Sequence, residues 1–225
     1  MTPPSFPNDL ITLKKSASPL LNHPDKVLLG GCGFELALGA LALLLGWIIG
    51  PDPRASIPTL TQTGHLGRDL LYGTIAAVPW LLAVSILDRV PWRWTQKLRE
   101  SAIPIAKMLK SVSVPGLAVL AASAGVGEEL LFRGWLQNLL AGGSDQASTG
   151  RLVLAISGAS LAFGLVHSIS RIYVMFAFAM GTYLGCLFAF GGSLLIPIVT
   201  HSVYDFGALL LLVRQCGYEA DEEEN

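Results

Sequence analysis

Charge is what this chain has least of. Only 14% of its 225 residues are Asp, Glu, Lys or Arg, where soluble domains carry about 25%. Cysteine is scarce too. Cys32, Cys186 and Cys216 are scattered in or beside apolar runs, which excludes an even-numbered disulfide frame and a thiolate metal cluster. Several catalytic signatures are missing. There is no His-Glu-x-x-His, no Gly-x-Ser-x-Gly and no phosphate-binding glycine loop. No long internal repeat is visible, which disfavours an inverted-repeat transporter. The polar stretch Asn22-His23-Pro24-Asp25-Lys26 has no apolar core of a cleaved signal, so Leu29-Gly30-Gly31-Cys32 is not read as a lipoprotein cleavage box.

Apolar length is what remains. The chain is 52% hydrophobic, with a mean hydropathy of +0.56. Its apolar runs predict an all-α polytopic bundle of about six spans. They cover roughly 27–50, 70–87, 114–140, 152–167, 172–190 and 194–213. Pro51-Asp52-Pro53 ends the first, and a polar loop is expected up to Asp69. Between the second and third spans, Arg89, Arg93, Lys97, Arg99, Lys107 and Lys110 alternate with Trp92, Trp94, Ile103, Ile105 and Met108. That pattern predicts a basic interfacial helix with tryptophans at headgroup level, not a nucleic-acid site.

The organisation expected is a cytoplasmic tail over 1–26, two spans and the basic segment over 27–113, a core over 114–214, and an acidic, disordered tail over 215–225. Lys14, Lys15, Lys26, the basic segment, Arg171 and Arg214 fall on one side, against Arg54, Arg68 and Arg151 on the other. The positive-inside rule then puts both termini inside, in a bacterial plasma membrane by expectation.

Seven polar residues fall within the expected spans: Glu35, Glu128, Glu129, Arg133, His167, His201 and Asp205. Each ionised group at membrane depth costs on the order of 3 kcal/mol. Glu129 and Arg133 are four apart, in the favourable Glu-before-Arg order, and read as a structural pair. Glu128 is rotated away and reads as the chemically free carboxylate. The four-residue spacings Phe163-x-x-x-His167 and His201-x-x-x-Asp205 likewise put each pair on one helical face. Phe163 reads as packing below His167. Glu35 stands outside these patterns and reads as facing a polar interior or snorkelling. His23 and His65 read as solvated loop residues.

Glu128-Glu129-x-x-x-Arg133, Phe163-x-x-x-His167 and His201-x-x-x-Asp205, in that order on successive spans, resemble the CPBP family. This group comprises type II CAAX-prenyl-endopeptidase-like membrane proteases and bacteriocin-processing or immunity proteins, also called Abi. The likeness covers about 114–210, and Phe132-Arg133-Gly134-Trp135-Leu136-Gln137 carries its most specific part. The resemblance implies an intramembrane endopeptidase. In it Glu128 and His167 activate a water, His201 and Asp205 help hold the oxyanion, and Glu129 and Arg133 support the site.

The chemistry agrees, since peptide hydrolysis needs a base for water and a donor for the oxyanion. An ionised Asp205 cannot donate, so it reads as orienting His201, with a protonated carboxyl or a metal ligand as alternatives. Glu128, His167 and His201 (with Asp205) would also suit zinc with one open position, so a divalent metal or no cofactor at all both stay open. The partners expected are the lipid bilayer and a protein or peptide substrate, C-terminally processed or prenylated in the family's manner, with no nucleic acid. The alternatives are a non-catalytic immunity or scaffolding protein, and a small proton-coupled transporter. By span position Glu128 falls near mid-membrane and His167 near the inner end, which suggests a site opening to the cytoplasmic half.

Overall fold

The computed structural model describes residues 24–142 and 147–223. The described residues form seven helices and no strand: α1 (Pro24–Ile49), α2 (Thr63–Arg89), α3 (Arg93–Leu109), α4 (Val114–Ala141), α5 (Thr149–Val166), α6 (Arg171–Gly191) and α7 (Leu195–Glu223). All but α3 are long and apolar enough to cross a bilayer. The all-α bundle of six spans expected from the sequence is therefore present, and the protein is an integral membrane protein.

Helix α3 is the expected basic element. Thr95, Leu98, Ala102, Ile105 and Leu109 fall at three- and four-residue spacing, and they are the buried or half-buried face. Arg93, Lys97, Lys107 and Lys110 are exposed, and Trp92 and Trp94 pair at 5.7 Å just where the helix begins. Ser101 Oγ donates to Ser170 Oγ at 2.7 Å, which ties α3 to the α5–α6 connection.

Three boundaries differ from the sequence reading. The first helix already includes Pro24–Lys26, inside the expected tail, and proline is tolerated in a first helical turn, where no N–H bond is lost. The second starts at Thr63, so His65 and Asp69 are helical rather than in a loop. Hydropathy marks depth in the bilayer, and a polar outer turn remains helical above it. Asp69 is fully buried and paired with Arg68 at 2.8 Å. The last helix runs through the acidic segment to Glu223, where a disordered tail was expected. Glu and Ala are good helix formers, and an existing helix needs no new nucleus to continue. His23 and the tail before it lie outside the described residues.

Helix α4 is the centre of the bundle and packs on α1, α7 and α5. Glycines set the distances. A Cβ on Gly125 would collide with Ser202 of α7, and one on Gly127 would overlap the Glu35 carbonyl of α1. The α1–α2 loop folds back over the far end of α4. Pro53 lies against Gly134, and Leu194 N–H donates to Ser56 O at 3.0 Å. Within that loop, the Arg54 guanidinium 2.9 Å from Asp52 holds its carboxyl below the usual range.

Candidate functional site

The site begins in an irregularity of α4. Val114–Glu129 is α-helical, Leu130–Gln137 is π-helical, and Asn138–Ala141 is α-helical again. Such wide turns occur preferentially at functional sites. The change comes directly after the two glutamates, and the whole of Leu130-Leu131-Phe132-Arg133-Gly134-Trp135-Leu136-Gln137 lies in the wide segment.

Arg133 is fully buried. Its Nη1 donates to Glu129 Oε1 at 2.6 Å and its Nη2 to Gly181 O at 3.0 Å. Its guanidinium carbon lies 4.5 Å from the Phe163 ring centroid, a cation–π contact. One turn on, Gln137 Nε2 donates to Gly185 O at 3.0 Å. The Gly181-x-x-x-Gly185 pair of α6 thus admits two polar side chains to its backbone carbonyls. A Cβ at Gly185 would stand 2.8 Å from Gln137 Oε1. The Glu129–Arg133 pair is present as the spacing implied.

Glu129 also does something the sequence reading did not assign. Its Oε1 lies 2.9 Å from His201 Nδ1, while His201 Nε2 is 3.5 Å from Asp205 Oδ2. Both ring nitrogens face carboxylates. The closer of them, and so the stronger orienting partner, is Glu129, where the sequence reading had favoured Asp205.

Glu128 points the other way. It is buried, with Oε2 3.7 Å from His167 Nε2. His167 caps α5, and its Nδ1 lies 2.8 Å from Phe163 O. A carbonyl only accepts, so Nδ1 carries the proton and a neutral ring has its lone pair on Nε2, facing Glu128. Phe163 packs against the ring at 4.6 Å and against His201 at 5.9 Å. Tyr173 stacks on the outer side of His167 at 6.5 Å.

The depth mismatch between Glu128 and His167 disappears for a simple reason. Helix α4 has 28 residues and α5 has 18, about 42 and 27 Å at 1.5 Å per residue. The longer helix overshoots a core of about 30 Å, so its midpoint meets the end of its shorter neighbour. His167 and Asp205 each keep about a quarter of their side chain exposed. A cavity of about 300 Å³ reaches Asp205 and Tyr173 from the side of α3, between Leu98, Phe176 and Leu209.

The structure therefore gathers Glu128, Glu129, Arg133, Phe163, His167, His201 and Asp205 into one cluster from α4, α5 and α7. Two neighbours were not foreseen. Tyr173 had no sequence signal. Glu35 did have one, a carboxylate within a span, and its face of α1 also carries Gly31 and Gly39, which a search for small-residue stripes would have found.

The donor set considered for zinc does not fit as a metal site. His201 has both ring nitrogens directed at carboxylates, and no three His, Cys, Asp or Glu side chains among the described residues form a ligand group.

No curated protein and no solved structure matches the chain. A family model matches part of it. Residues 110–207, which contain all seven of these side chains, are similar to the type II CAAX prenyl endopeptidase Rce1-like family.

Proposed function

We propose that this protein is an intramembrane endopeptidase that hydrolyses a peptide bond in a membrane-associated protein or peptide. The observation that carries the reading is Glu128 facing the His167 lone pair across 3.7 Å inside the bundle. That gap is too long for a direct hydrogen bond and suits a bridging water. Glu128 and His167 are both acceptors. A water donating one hydrogen to each would present its own lone pair to a substrate carbonyl.

In the reaction the water oxygen forms the new C–O bond while Glu128 takes its proton. The carbonyl becomes an oxyanion beside His201. A His201 ring donating from Nδ1 to Glu129 and carrying a second proton on Nε2 supplies an N–H donor there. The long 3.5 Å contact to Asp205 leaves that N–H able to bend toward the oxyanion. Collapse breaks the C–N bond, and Glu128 returns the proton to the leaving amine. Arg133 stays out of the chemistry and neutralises Glu129, so that Glu129 can hold His201.

The cavity beside α3 is the approach for the substrate chain. The basic residues of α3 support a cytoplasmic position for that side under the positive-inside rule, with both termini on the same side. A prenylated or otherwise C-terminally processed substrate fits an apolar approach of this kind.

The test is hydrolysis of membrane-associated peptides by purified protein in nanodiscs. Glu128→Ala and His167→Ala should each lower the rate by about 10²- to 10⁴-fold, the range for a positioned acid–base group. Cleavage at the wild-type rate in both variants would overturn the mechanism.

A further inference from the structure

Glu35 belongs to no motif and lies outside the matched segment 110–207, yet it reaches the centre of the site. Gly31, Glu35 and Gly39 form one face of α1, and this face is laid on α4. A Cβ at Gly31 would stand 2.9 Å from Leu120, and one at Gly39 would stand 3.4 Å from the Cα of Gly127. At Gly127 the two backbones touch, because a Cβ there would overlap the Glu35 carbonyl. Gly127 immediately precedes Glu128. The crossing brings the Glu35 carboxyl within hydrogen-bonding range of the Glu128 carboxyl.

Both groups are otherwise poorly provided for. Glu35 Oε2 and Glu128 Oε2 are buried with no hydrogen-bond partner. The charged groups near the pair are Glu129 and Arg133 on α4, His201 and Asp205 on α7, and His167 at the end of α5. Arg133 is committed to Glu129 and Gly181, and His201 to Glu129 and Asp205. Among the described residues, both cations beside the pair thus have their hydrogen bonds elsewhere than Glu35 or Glu128. Ionised carboxylates only accept, so two of them in contact require a proton between them.

We infer that Glu35 is a positioning residue for Glu128, holding it toward His167 through a carboxyl–carboxylate hydrogen bond. The two carboxyls share one proton, and the pairing leaves Glu128 Oε2 facing His167. This rests on the reading above that Glu128 is the base. It also gives α1 a part in the site, although α1 lies outside the domain match.

Two variants separate a positioning hydrogen bond from packing. Glu35→Gln keeps a donor, since its amide N–H can serve the Glu128 carboxylate. Glu35→Leu keeps the volume and removes the hydrogen bond. Losing a hydrogen bond to a charged group corresponds to about 10- to 100-fold in rate. The expected result is a kcat lowered by that factor in Glu35→Leu with KM unchanged, and largely restored in Glu35→Gln. A wild-type kcat in Glu35→Leu, or equal loss in both variants, would overturn the inference.

A second measurement needs no activity. The infrared band of a protonated carboxyl should shift or vanish in both Glu35→Gln and Glu128→Gln, because one proton serves both groups. A band unchanged in either variant also overturns the inference. If no protein cleaves peptide, the endopeptidase reading fails while the infrared result still decides whether the pair exists. If Glu35→Leu fails to fold, Glu35→Gln and the infrared comparison decide alone.

Discussion

Helices α1 and α4 are both long enough to span a bilayer, and they use it in opposite ways. Of the most apolar window of α1 only 11% is buried, against 56% for α4. The less apolar helix is the more buried one. In water this order would be reversed. In lipid it is expected, because hydrocarbon solvates Leu and Ile side chains as well as a protein interior does. What must be hidden is polar. Arg133, Glu129 and Glu128 draw α4 into the centre, whereas Leu29, Trp47 and Ile48 stay out at more than half exposure. α1 is recruited only along one narrow face, by Gly31, Glu35 and Gly39.

This contrast can be broken most sharply at Arg133. Arg133→Met strips the buried Glu129 of its cation and loosens His201. A broken buried pair costs about 3–5 kcal/mol. The variant should show the largest fall in detergent unfolding temperature, and a Glu129→Gln, Arg133→Met double variant should recover part of it. An undisturbed midpoint in Arg133→Met would mean that the ion pair does not hold α4 in place.

The contact between the two helices comes next. Gly127→Ala inserts a methyl where the Glu35 backbone already stands. Overpacking of this kind costs about 1–3 kcal/mol. It should also push Glu35 away from Glu128, so the infrared signature of the pair should change along with the unfolding temperature. A stable Gly127→Ala with wild-type spectrum would show that α1 yields freely there.

The smallest effect belongs to the lipid face. Leu44 of α1 is about half exposed. Leu44→Ala exchanges one lipid-facing apolar side chain for a better helix former. The expected change is within about 0.5 kcal/mol, read by the same melt. A loss of several kcal/mol would mean that this face is covered by protein.

Much of this was legible in the residues. Apolar runs located all six spans, and alternating basic and aromatic residues marked α3. The four-residue spacings paired Glu129 with Arg133 and Phe163 with His167, because neighbours on a helix face depend only on helical geometry. Other features were not legible. Nothing in Leu130–Gln137 announces a π-helical turn. The start of α2 at Thr63 and the run of α7 to Glu223 were missed because hydropathy reports depth, and helices continue past the lipid. Glu35 looked like a stray carboxylate, since its partner lies about ninety residues on.

By itself, then, the sequence determined which segments cross the membrane and which side chains are too costly to face lipid. Both follow from transfer energies and local helical periodicity, which need no knowledge of neighbours. Tertiary structure alone decided the pairings among those side chains. It gave His201 to Glu129 more closely than to Asp205, set Glu128 against His167, and brought Glu35 to Glu128. Those choices depend on where helices cross, and the crossings are set by close backbone approaches at glycines such as Gly125 and Gly127. A glycine in a sequence shows that an approach is allowed. Which helix makes it is a property of the packed bundle.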